Sequence, residues 1–213
     1  PWGCTWARQL PGRAEALHEE QRRQHDERDR HDEVVQPWRR DFEAFDRRHG
    51  LPGEEVTALL STTDERVWAG LRNGQVAWWQ NGHFTPWKPD RPLPVHPVRS
   101  LLTDPSGSLW LASRGGGIWR LDTAAGKAFP MSEGLRSLRV NSLVRLADLS
   151  LLAATDSGLA VLDGSRWRML PVNAELPGLR VLALHADSLG VLVGTSEGYL
   201  ELDRDLHPLP IAQ

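Results

Sequence analysis

The stretch LPVHPVRSLLTDPSGSLWLASRGGGIWRLD, residues Leu93–Asp122, carries the pattern that organises the chain. An apolar run opens at Val98, the chain turns through Asp104-Pro105-Ser106-Gly107, and a second run follows as Leu109-Trp110-Leu111-Ala112-Ser113. After Gly117 comes a third run, Ile118-Trp119-Arg120-Leu121-Asp122. The same order recurs on both sides. Val56, Val98, Val140 and Val181 each open an apolar run, at spacings of 42, 42 and 41 residues. The second run returns as Val67-Trp68-Ala69-Gly70, Leu151-Leu152-Ala153-Ala154-Thr155 and Val191-Leu192-Val193-Gly194-Thr195. An internal period of this length is a firmer guide to architecture than local propensity.

Gly74, Gly117, Gly158 and Gly198 stand between the second and third runs, where a tight turn calls for positive φ. In the third run Val76 and Trp78, Trp119 and Leu121, Ala160 and Leu162, and Leu200 and Leu202 fall on matching faces, the two-residue period of a strand. A fourth segment follows a turn, clearest at Asn81-Gly82 and Asp163-Gly164, and carries Phe84, Phe129, Trp167 and Leu206. Each repeat therefore reads as four short antiparallel strands. Sheets of that size bury both faces only against neighbouring sheets, which makes them propeller blades. The expected fold is an all-β propeller over residues 38–213, with blades starting near 51, 93, 135 and 176. Phe42, Phe84 and Trp167 each stand nine residues before the leucine of a Leu-Pro pair, so Asp41–Asp46 reads as the fourth strand of a preceding blade.

Residues 1–37 have a different composition. Between Arg13 and Arg48 there are nine Arg and eleven Asp or Glu in 36 residues. Glu19 with Arg23 and Asp26 with Arg30 are four apart, a spacing that supports an exposed helix, so Gly12–Val35 reads as a solvated, charged α-helix ahead of the propeller. His18, His25 and His31 lack the four-residue spacing that places two imidazoles on one helical turn, and no metal site is expected there.

Charge and cysteine content narrow the function classes. With a net charge of -3 the chain lacks the basic field needed for non-specific nucleic-acid binding, so nucleic acid is not an expected partner. The single cysteine, Cys4, excludes an internal disulfide. No run of apolar residues is long enough to cross a bilayer as a helix, which leaves any membrane anchoring to sequence upstream of Pro1.

The order Leu-Pro, valine, Asp or Gly turn, Leu-Trp and Gly-Ile-x-x-Leu-Asp resembles the two-component-regulator propeller repeat. The match is fullest over Leu93–Asp122 and weaker in the last two repeats, where Leu152 and Leu192 stand in place of the tryptophan. The resemblance covers Asp41 to Pro210. It implies a periplasmic or cell-envelope sensor domain, in a family whose rings usually have seven blades. Seven such units need roughly 290 residues, whereas Gly50–Gln213 supplies 164. The resolutions are a partial ring completed by another chain, which is favoured, a closed four-bladed ring, or a piece of a longer polypeptide.

No cluster of polar residues supports catalysis, and no cofactor is expected. His185 with Asp187 keeps a propeller lyase as a minor alternative, by fold-level analogy alone. Gly115-Gly116-Gly117 lacks the Lys-Ser/Thr of a phosphate loop and reads as a blade turn. Of ten tryptophans, Trp68 and Trp110 occupy equivalent positions and read as inter-blade packing. Trp79 and Trp87 fall off the buried alternation. Together with Trp78, Trp119 and His83 they are the candidate ligand- or partner-binding residues, on the argument that indoles anchor interfaces. The expected role is a non-enzymatic binding module, for sensing or protein interaction, with a structural scaffold subunit as the alternative. Its partner surface is expected to combine the charged helix with the first two blades.

Overall fold

The computed structural model describes residues 44–210. The charged helix at Gly12–Val35, the proposed boundary at residue 37 and Phe42 lie outside the described residues. From Phe45 onward the chain forms one unit built of fifteen strands and two short 3₁₀ turns. Blade one is β1 (Val56–Ser61), β2 (Val67–Leu71), β3 (Val76–Gln80) and β4 (His83–Pro86). Blade two is β5 (Val98–Thr103), β6 (Leu109–Ser113), β7 (Gly117–Asp122) and β8 (Lys127–Pro130). Blade three is β9 (Val140–Arg145), β10 (Leu151–Thr155), β11 (Gly158–Asp163) and β12 (Arg166–Met169). Blade four is β13 (Val181–Ala186), β14 (Val191–Thr195) and β15 (Tyr199–Leu202). Each is an antiparallel meander in chain order, and the first strands of successive blades pack side by side in the order β1, β5, β9, β13. This is the propeller arrangement, with each sheet starting at the valine that marks the repeat.

Local sequence explains the hairpins. Gly74, Gly117, Gly158 and Gly198 have φ of 85°, 71°, 104° and 153°, a region closed to most side chains. Asp104 organises the β5–β6 turn, accepting the amides of Ser106 (2.9 Å) and Ser108 (3.0 Å) while the Trp110 indole N–H donates to its other oxygen at 3.0 Å. Burial pushes the Asp104 carboxyl up, but the hydrogen bonds from Ser106, Trp110 and these amides outweigh it and hold the group below the usual aspartate range.

The core lies between blades. Trp68, Val76, Val98, Leu101 and Leu121 fill the first gap. Trp110, Ile118, Val140, Leu143 and Trp167 fill the second, and Leu152, Leu159, Val181, Val193 and Leu202 the third. Polar stitches run along the inner strands. The Thr57 hydroxyl donates to the Val98 carbonyl at 2.6 Å, Ser100 to Leu143 at 3.4 Å, and the Asn141 amide to Val181 at 2.7 Å. Blade four has Leu182 and Ala183 at these positions and carries no such donor toward a following blade.

The two ends of the series are bare. Leu59 of β1 is 65% exposed, whereas its equivalents Leu101 and Leu143 are 7% and 5% exposed. At the other end Leu192 is 42% exposed where Leu152 is fully buried. The inner strands of blades one and four therefore do not cover each other, and the four blades form an arc.

Two sequence expectations are corrected. Ala44–Asp46, the described part of the segment read as a strand, has no ladder partner; Asp46 instead caps a 3₁₀ turn at Arg47–His49 by accepting the Arg48 amide at 2.8 Å, and Gly50 ends it with φ 91°. Phe45 then rests against Trp79 at 4.3 Å, and Leu51 covers Ala69, Ala77 and Phe84 on the outer face of blade one. In blade four the fourth strand shrinks to a single bridge between Leu202 and Pro208, and Leu206 lies in the preceding turn with φ 63°.

Candidate ligand-binding mouth

At the end of the arc where the inner strands begin, each blade repeats one backbone contact. The residue opening the second hairpin donates its amide to the residue just before the inner strand. The pairs are Arg72 to Glu55 (3.0 Å), Arg114 to Pro97 (3.0 Å), Asp156 to Arg139 (3.1 Å) and Ser196 to Arg180 (3.1 Å). Eight side chains are thus placed at equivalent positions around one mouth.

Their charges are unevenly matched. In blade one the Arg72 guanidinium pairs with Glu55 at 2.7 Å. Between blades three and four, Asp156 receives Arg180 at 3.4 Å, Arg139 at 3.7 Å and the Asn141 amide at 2.9 Å. Arg114 sits directly opposite Arg139 in an isolated antiparallel bridge. Arg99 occupies the bulged position next to Val98, equivalent to Thr57 and Asn141, and is exposed. Among the described residues no acidic group pairs with Arg99 or Arg114. The alternation argument missed this constellation because it tracks apolar residues. The signal was available in the repeat itself, by comparing the positions before each valine with those 16 or 17 residues later.

The aromatic residues singled out from sequence lie elsewhere. Trp78 lies against Trp68 at 5.5 Å with the rings tilted by 51° and, with Trp119, packs half-buried against the core between blades one and two. The Trp119 indole N–H donates to the Gly116 carbonyl at 2.9 Å. Trp87, read from the alternation as exposed, is buried in the same gap with its N–H directed to the Thr123 carbonyl at 3.4 Å. Its amide extends the ladder to Val76, and the chain then turns the indole under blade two. Trp79 is half-buried between Phe45 and Phe84 on the outer side of blade one, and the exposed His83 lies close to Gly50 on that side. The five residues therefore do not converge on one site.

His185 and Asp187 line a cavity of about 250 Å³ with Leu192, Glu201 and Leu209 on the open face of blade four, away from the mouth. Asp203, Asp205 and His207 bring metal-type donors within 4.8 Å of one another. They belong to a turn in which Asp203 already accepts the Asp205 and His207 amides at 2.9 and 2.8 Å.

No family model and no curated protein matches the chain. Solved structures do. An extracellular domain assigned to a hybrid two-component system of Bacteroides thetaiotaomicron, BT3049, aligns at TM-score 0.67 and 14% identity over 76% of this chain and 25% of its own. The extracellular domain of BT4673 from the same organism aligns at 0.61 and 26% identity, over 73% of this chain and 22% of its own. Virginiamycin B lyase from Staphylococcus aureus aligns at 0.59 and 14% identity over 75% and 56%. The chain shares their fold. It spans about a quarter of the two extracellular domains.

Proposed function

We propose that the chain is a non-enzymatic binding module of the bacterial cell envelope that serves in sensing. The observation that carries this reading is the likeness of the blades to extracellular domains of two-component systems, at 26% identity for BT4673. Its polar mouth supports the same reading, since Asp156, Arg139 and Arg180 form an ion-pair cluster with no nucleophile and base among them. The lyase likeness, at 14% identity, extends to the fold alone, and His185 and Asp187 face away from the mouth.

The exposed ends of the arc support a partner that completes the propeller. Leu59 at one end and Leu182 and Leu192 at the other are exposed where their equivalents or neighbours are covered by the next blade. Burying such a side chain contributes about 1.5–3 kcal/mol, so another chain that completes the propeller is the partner these faces fit. The sequence on both sides of the coding region tests the sensing role. That role predicts a reading frame that runs into a membrane-spanning segment and a signalling output domain. A frame joined only to envelope-assembly components would favour the scaffold role instead.

A further inference from the structure

We infer that the mouth over blades two to four binds an oxyanion, the carboxylate or sulfate group of a ligand, through Arg99, Arg114 and Arg139. The inference rests on the binding-module reading and names the ligand chemistry of that site. Arg114 and Arg139 face each other across an antiparallel bridge, where like charges directly opposite destabilise the pairing. Asp156 does not resolve the conflict. Its two oxygens already serve Arg139, Arg180 and Asn141, at 3.7, 3.4 and 2.9 Å, and Arg114 is not among its partners.

Arg99 adds to the imbalance. At the equivalent positions Thr57 and Asn141 spend their side chains on the carbonyl of the next blade. In blade two Ser100 stitches to Leu143 instead, three residues beyond the Val140 position, and among the described residues the Arg99 guanidinium has no side-chain partner at the mouth. Blade one provides an internal contrast, because Arg72 is neutralised there by Glu55 at 2.7 Å. At and beside these positions stand six arginines, Arg47, Arg72, Arg99, Arg114, Arg139 and Arg180, against Glu54, Glu55, Asp156 and Glu197, in a chain whose net charge is -3. A local positive excess in a net-acidic protein concentrates anions. Guanidinium groups suit carboxylate and sulfate because their planar donors match two oxygens at once.

The experiment is an amide NMR titration of the full chain with sodium sulfate, sodium glucuronate and, as the neutral counterpart, glucose, at constant ionic strength. Saturable shifts at Arg99, Arg114, Leu138 and Arg139 with sulfate or glucuronate, but not with glucose, are expected. The stronger of the two anions identifies the preferred group. Arg99→Gln with Arg114→Gln should weaken binding at least tenfold, whereas Lys127→Gln, an exposed position of β8 at the opposite end of blade two, should leave it unchanged. Both exposed arginines can be replaced without touching the core, and an unaltered circular dichroism melt verifies that. The inference is overturned if neither anion gives saturable shifts at the mouth, or if the double variant titrates like the parent. Glucose binding there as well as glucuronate would overturn the anion assignment while leaving the binding-module reading intact.

Discussion

Replacing Trp110 with alanine should cost about 3–5 kcal/mol, the range for emptying a core aromatic site. Trp110 is buried on the face of blade two that meets blade three, packed in one cluster with Ile118, Val140, Leu143 and Trp167. Two effects can be separated. The indole N–H bond to Asp104 is lost, but Asp104 keeps the amides of Ser106 and Ser108 and is not left unpaired. Most of the loss therefore comes from the cavity left between the two blades. Trp110→Phe should retain most of the packing and lose about 1.5–3 kcal/mol, the scale of a hydrogen bond to a charged group. Trp79→Ala, at a half-buried site on the outer side of blade one, should cost less than Trp110→Ala. Urea unfolding followed by far-UV circular dichroism is the suitable assay, because ten tryptophans blur any fluorescence signal. A Trp110→Ala midpoint within about 1 kcal/mol of the parent at unchanged m-value would refute the inter-blade role of this residue.

Asn141→Ala should cost about 1–3 kcal/mol by stranding the Val181 carbonyl, and hydrogen exchange should report the loosening in β13 before β5. Leu143→Ala should cost about 2–5 kcal/mol, whereas Leu59→Ser and Leu192→Ser should change stability by less than about 1 kcal/mol in urea titrations of the chain alone, because both are already exposed. Asp104 has a lowered pKa in the folded chain, so it contributes stability above its unfolded value of about 3.9 that is lost as pH falls through the folded value. Stability measured from pH 6 down to pH 2 should therefore fall less steeply for Asp104→Asn than for the parent.

The blades were legible because the information that sets them is local and repeated. A valine every 41 or 42 residues, a glycine before each third run and a two-residue apolar period fix strand, turn and face with no knowledge of the partner sheet. Features that depend on the neighbouring blade were not legible. Trp87 stands just beyond β4, so alternation says nothing of its direction, and only the Thr123 carbonyl of blade two, 36 residues away, reveals that it turns inward. Asp41–Asp46 aligned with a fourth strand by spacing, yet in its described part the capping aspartate at Asp46 redirects the chain into a 3₁₀ turn before Gly50. Leu206 failed for a similar reason. Asp203 gathers the amides of Asp205 and His207 into a turn and consumes the residues that a fourth strand would need. The mouth was hidden in another way, since its arginines come from four blades and share no local pattern beyond their place in the repeat.

Hydrogen exchange read by mass spectrometry, at a concentration where sedimentation gives a single chain, tests the open arc most directly. The inner strands are equivalent in sequence and pairing, and differ in whether a blade lies on both sides. Amides of β5 (Val98–Thr103) and β9 (Val140–Arg145) should exchange slowest, with β1 (Val56–Ser61) and β13 (Val181–Ala186) clearly faster, because the terminal blades open without disturbing the middle two. Equal protection of β13 and β9, with β1 alongside them, would mean that the ends cover each other and that the four blades close into a ring.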